Sequence, residues 1–143
     1  MIRLNDILLL VLLMLSTNIS LSQSLNDFRW KNRILVISSP ETSRLTKDQI
    51  KKFTSAKDAF LERKLLLFIQ TKKGCSQVNI ETGDINSDLT ITNAGIDPSK
   101  FKIQLIGLDG TTKFISQDLV SPEAIFNRID QMPMRRSEIR KKN

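Results

Sequence analysis

The sequence predicts an α/β fold: a four-stranded mixed sheet flanked by helices, in the order β-α-β, variable segment, β-hairpin, α. Three observations carry this. Ile34-Leu35-Val36-Ile37 and residues 65–69 are short unbroken apolar runs, as strands buried on both faces show, with a helical pattern between them. Residues 100–116 read as a hairpin. Phe101, Ile103 and Leu105 alternate with Lys102 and Gln104, the period of a half-buried strand, and Asp109-Gly110 is a pair favoured in a tight type I′ turn. Ser121-Pro122-Glu123 opens a final helix, with an N-cap, a proline at the first helical position and an acid at the positive end of the dipole.

Residues 1–22 hold Arg3 in a short polar start, an apolar run over 7–15 and the small-x-small triplet Ser20-Leu21-Ser22. This is the form of a signal peptide cleaved before Gln23, although Asp6 is unusual there. The run is short for a membrane-spanning helix, and no Cys follows it to carry a lipid. Retention as an uncleaved anchor is the alternative. The expected layout is a leader over 1–22, one domain over 23–134 and a basic C-terminal tail over 135–143, in a secreted or periplasmic protein with no membrane span once the leader is removed.

Phe28 and Trp30 are expected to pin the start of the mature chain to the body. Arg29, Lys31 and Arg33 alternate with them. The pattern reads as an edge segment with its charges outward, or as a strip lining a single-stranded nucleic-acid groove; export removes that ligand, and no nucleic acid is expected. Ser38-Ser39-Pro40 ends the first strand. Thr46-Lys47-Asp48-Gln49 fits a capping box, and the helix runs to about Arg63 with Ile50, Phe53, Phe60 and Leu61 on one face. Lys47, Lys51, Lys52 and Lys57 mostly lie elsewhere as a solvated face. Strand, helix, strand implies a parallel pair with a right-handed crossover. Residues 71–92 are less regular: Lys72-Lys73-Gly74 is a turn, Val78 and Ile80 suit an edge strand, and a short helix around 88–94 is a poor one because of Thr90, Ile91 and Thr92. Pro98 precedes the hairpin. Ile125, Phe126, Ile129 and Met132 form the buried stripe of the last helix, which Pro133 ends. This order is the minimal thioredoxin-like plan.

The chain of 143 residues supports one domain. Its single Cys excludes an internal disulfide and any dithiol motif. The lack of His removes the commonest metal ligand and the usual general base near neutral pH. A net charge of +7 favours anionic partners, or is only a soluble charged surface. Loss of the leader removes Arg3 and Asp6 together, so the excess persists.

Five pieces recur in a recognisable order over nearly all of the mature chain: Phe28-Arg29-Trp30-Lys31-Asn32-Arg33; Gln49; Glu62-Arg63; Leu108-Asp109-Gly110 with Lys113; and Met132-Pro133-Met134-Arg135-Arg136 with Glu138. Together they resemble the DUDES family of secreted thioredoxin-like domains, which includes small bacterial exported proteins and domains of vertebrate sushi-repeat matrix proteins. The resemblance implies a thioredoxin-like fold and export, and no established activity. Family members often carry an acid after the residue matching Arg63; Lys64 stands there in this chain, which puts an Arg-acid pair at that place in doubt.

A working thioredoxin has a Cys at the start of its first helix, where the dipole stabilises the thiolate; residues 38–46 contain none. Pro98 occupies the place of the thioredoxin cis-proline and is expected trans. Cys75 is the one candidate nucleophile. Lys72 and Lys73 would lower its pKa, yet no His is present as a base, and a structural thiol is the ordinary reading. Asp84 and Asp88 lie in a polar loop; no metal site and no cofactor are expected. The candidate binding residues are Arg135 and Arg136 of the tail, which can grip carboxylate or phosphate bidentately, with Arg29, Lys31, Arg33, Arg63, Asp109 and Lys113 from the other matched pieces. If the tail is helical, Arg136 and Arg140 share a face and Glu138 can orient a neighbouring Arg. The expected function is an exported, non-enzymatic binding module lacking the dithiol site, with a protein or anionic partner in the envelope or exterior. The alternative is a single-thiol redox protein using Cys75.

Overall fold

The computed structural model of the chain describes Met1, residues 24–91 and residues 94–143, the side chains of 88–90 excepted. The expected leader, Met1 aside, lies outside the described residues. A 3₁₀ turn, Leu25–Phe28, leads into β1 (Arg33–Ser38). Then come α1 (Arg44–Thr54), α2 (Lys57–Glu62), β2 (Leu65–Thr71), β3 (Gly74–Val78), β4 (Ile85–Ile91), β5 (Lys102–Ile106), β6 (Thr112–Ser116), α3 (Pro122–Asp130) and α4 (Pro133–Lys142).

The strands form one mixed sheet in the order β4-β3-β2-β1-β5-β6. β1 pairs parallel to β2 and antiparallel to β5, so the expected β-α-β unit and hairpin sit side by side. The sheet has six strands and not four, because β3 and β4 extend it past β2. Val78 belongs to β3, an interior strand, and the expected helix around 88–94 gives way to β4 up to Ile91. The residues that made that helix poor, Thr90 and Ile91, are β-branched and suit a pleated strand; residues 92 and 93 lie outside the described set.

The two sheet faces bury different sets. Leu35, Ile37, Leu67, Ile69, Ile103 and Leu105 face Ile50 and Phe53 of α1, Phe60 of α2 and Ile125, Phe126 and Ile129 of α3. On the other face Ile34, Val36, Phe68, Cys75, Ile91 and Ile106 are covered by Leu25 and Phe28 and by Ala94 and Ile96. Helices α1–α3 therefore share one face, and irregular chain closes the other.

Local details differ from the sequence expectations for definable reasons. The N-cap of α1 is Ser43, whose side chain accepts from the Thr46 N–H, and both Thr46 and Gln49 are buried. The long helix breaks after Thr54: the hydroxyls of Thr54 and Ser55 donate to the carbonyls of Lys51 and Lys52, a local competition that favours helix ends. In the hairpin only Gly110 has positive φ, at 80°, while Asp109 does not. The loop closes with Gly107 N–H donating to the Thr111 carbonyl and Gly110 N–H to the Gly107 carbonyl. It is a three-residue loop ending on a left-handed glycine rather than a type I′ turn. Phe28 packs edge-on against Phe68 at 5.5 Å, as expected of an anchor. Trp30 does not: it is 59% exposed, with its backbone at φ 65° and its N–H on the Leu108 carbonyl. No cis peptide bond occurs among the described residues, Pro98 included.

Candidate functional site

The chemistry-bearing residues gather where β1 starts and the β5–β6 hairpin turns. This is the opposite end of the sheet from residues 38–46, where a thioredoxin keeps its thiol. Arg33, the first residue of β1, is 1% exposed. Its Nη1 donates to the Arg63 carbonyl at 2.9 Å, and Nη1 and Nη2 both reach the Glu138 carboxylate at 3.3 Å. Arg135, in the first turn of α4, is 2% exposed. It bonds Glu62 at 2.6 Å, Asp130 at 3.2 Å and Glu138 at 3.3 Å. Arg63, just after α2, holds Asp130 by a two-pronged contact at 3.0 and 2.7 Å and lies over the Phe126 ring at 4.7 Å.

Three guanidinium groups thus interlock with three carboxylates, and formal charge cancels inside the set. Burial raises the Asp130 and Glu138 carboxyls, but the arginine contacts outweigh it and hold both below their ordinary values. The hydrogen bond from Arg135 lowers Glu62. Burial opposes the charge on Arg135, but Glu62, Asp130 and Glu138 raise its pKa. The buried guanidiniums of Arg33 and Arg135 depend on these partly exposed acids to offset their desolvation. One atom is left out: the Arg33 Nε–H is buried without an acceptor.

Beside this network opens a cleft of about 490 Å³. Arg33, Lys113 and Arg128 line it, with Asp109 as the acid and Leu108, Met132, Pro133 and Met134 as apolar wall. Asp109 accepts from the Thr111 N–H and hydroxyl and pairs with Lys113 Nζ at 2.9 Å. Led by the Lys113 contact, these bonds hold its carboxyl at about 2. Arg128 stacks on Phe114 at 5.7 Å and has no carboxylate within ion-pair distance among the described residues.

The structure brings together Arg33, Arg63 and Arg135, and sets Asp109 and Lys113 next to them. Arg29 lies against Gly110, within 3.4 Å of where a Cβ would stand there. Lys31 and Arg136 are exposed and join neither group. Arg63 does have its acid: Asp130 supplies it from 67 residues away, where Lys64 stands in sequence. The segment read as a basic tail is the helix α4, with Arg135 turned inward and Arg136 outward. Sequence reasoning missed Asp130 and Arg128. Asp130 carries no local signal, while Arg128 marks itself only as a base on the polar side of α3.

Cys75 lies in β3 and is fully buried. Activation by Lys72 and Lys73, which the redox alternative requires, is not seen: burial pushes the thiol up to about 11. Among the described residues no group of three or more His, Cys, Asp or Glu converges to hold a metal ion, and no helix is long and apolar enough to cross a membrane.

Comparison with curated proteins finds no match. Among solved structures the chain is similar to the crystal structure of the reduced 2-Cys peroxiredoxin of Plasmodium vivax. Sequence identity is 20% and the TM-score 0.52, over 79% of this chain and 72% of that one. At that identity the likeness speaks to the fold, which is thioredoxin-like. Residues 24–138 match the family described as Domain of unknown function (DUF4174), and the chain belongs to that family.

Proposed function

We propose that the protein is an exported, non-enzymatic binding module on a thioredoxin-like fold, taking an anionic partner at the end of the sheet where β1 begins. One observation carries this: the cations near that end divide into two sets. Arg33, Arg63 and Arg135 are neutralised internally by Glu62, Asp130 and Glu138. Arg29, Lys31, Arg128 and Arg136 are exposed and form no ion pair among the described residues. Unpaired surface cations attract anions; buried pairs do not. Export rests on the leader pattern of residues 1–22, and kinship with the DUDES domains on the ordered sequence pieces. The redox alternative draws no support from the buried, high-pKa thiol of Cys75.

The test uses the chain from residue 23 onward, which holds every element described, on immobilised heparin under a salt gradient. Retention is expected to fall steeply with salt, and Arg29→Ala/Lys31→Ala/Arg136→Ala is expected to elute earlier. The control Lys47→Ala/Lys51→Ala/Lys52→Ala on α1 removes as much charge elsewhere. Equal shifts for the two triples would reject the assignment to this end of the molecule.

A further inference from the structure

We infer that the cleft between the hairpin and the α3–α4 junction is a site for a small amphipathic acid. Its carboxylate or phosphate head sits at Lys113 and Arg128, and its apolar arm lies along Leu108, Met132, Pro133 and Met134. The inference deepens the proposed function and rests on its reading that this end takes anions.

Three features point to that chemistry. The first is Arg33, which lines the cleft and carries the one buried side-chain polar atom left without a partner among the described residues. Its Nη1 and Nη2 are committed to Glu138 and the Arg63 carbonyl, so the guanidinium cannot turn to satisfy Nε. An orphaned buried donor is costly, and an acceptor delivered through the cleft would relieve it. Half-buried Met132 lines the cleft together with Arg33 and is unbranched and adaptable, so a ligand oxygen reaches Nε where that side chain gives way.

The second is the pair of cations at the opening. Among the described residues Arg128 has only an aromatic face as partner, leaving its donors for a ligand. Lys113 holds Asp109 with one of its three donors. The third is the wall. Leu108, Met132, Pro133 and Met134 form a mostly apolar lining, which a bare inorganic anion leaves unused. The volume of about 490 Å³ falls within the range of small-molecule sites. A free alkyl acid and a lipid headgroup share this head-and-arm chemistry.

Calorimetric titration separates these sources. Decanoate and decyl phosphate, both below their micelle concentrations, are compared with decanol, inorganic phosphate and phosphatidylglycerol vesicles. Saturable one-to-one binding of decanoate or decyl phosphate is expected, about tenfold or more tighter than decanol or phosphate alone. Arg128→Gln and Lys113→Gln, both exposed positions, are each expected to weaken it about tenfold. Gly107→Ala keeps every charge, but its Cβ would come within 2.7 Å of Lys113 Cε. It must therefore displace that side chain and is expected to weaken binding as well, with circular dichroism confirming the fold of each variant. Phosphate matching decyl phosphate, decanol matching decanoate, or binding unchanged in both Gln variants would overturn the assignment. So would binding to vesicles but to neither free acid, which would place the anion site on a bilayer surface. Heparin retention that persists while the amphiphiles fail would sink this inference alone; failure of both would remove the proposed function too.

Discussion

Gln49 spends both ends of its amide on the backbone of a single residue. Nε2 donates to the Val120 carbonyl at 2.8 Å, and Oε1 accepts from the Val120 N–H at 2.9 Å. This ties α1 to the segment entering α3 across the core. In Gln49→Leu two buried backbone groups lose their partners, and urea denaturation should show a loss of about 2–4 kcal/mol. Gln49 was visible in the sequence as a helix-start residue, but its true partner lies 71 positions away, beyond any local pattern. Cys75 teaches the same lesson. Its basic neighbours are legible, whereas its burial depends on β4, a strand that the sequence read as loop and poor helix. The native thiol should react with Ellman's reagent about a hundredfold more slowly than the urea-unfolded chain; comparable rates would contradict the burial.

At the scale of elements, β1, β2, the hairpin and α3 could be read from apolar runs, alternation and capping residues. All these signals are local. β3 and β4 were harder, since their pairing includes a register shift between Ser76 and Gln77, which breaks simple alternation. α4 is unlike the other long helices. It buries only Arg135, so ion pairs rather than an apolar face dock it. Glu138 and Asp130 have folded pKa values below their ordinary 4.5 and 3.8. The stability they contribute is therefore complete above those ordinary values and is lost as pH falls through the lowered ones. Melting temperature should drop as pH falls below about 4.5, and Glu138→Gln should flatten that dependence. Arg135→Ala removes a buried guanidinium that bonds Glu62, Asp130 and Glu138 and should cost about 1.5–3 kcal/mol in chemical denaturation. A cost under about 1 kcal/mol would mean that the network is solvated.

Over the whole molecule, the element order was enough to recover a thioredoxin-like sheet, because adjacent elements and right-handed crossovers leave few arrangements. The candidate site was only half legible. Arg33, Arg63, Asp109, Lys113 and Arg135 were picked out, but all as binders. The structure instead buries Arg33 and Arg135, pairs Arg63 with Asp130, and leaves Arg128 on the cleft wall as a cation without an ion pair among the described residues. Which cation is spent and which is free depends on contacts spanning 67 to 105 residues, a distance at which spacing carries no information.

The one tryptophan of the chain sits on the loop beside that cleft's hairpin, more than half exposed, with Arg29 over its ring at 5.5 Å. Native emission should therefore already be that of a wet indole, and denaturation should scarcely move its wavelength. The backbone N–H of the same residue donates to the Leu108 carbonyl at 2.7 Å, so an occupant that shifts the hairpin loop should move the indole and change its quantum yield. Intrinsic fluorescence in this protein is an optical gauge of occupancy at one end of the sheet, and loss of structure has to be followed through the backbone's circular dichroism instead.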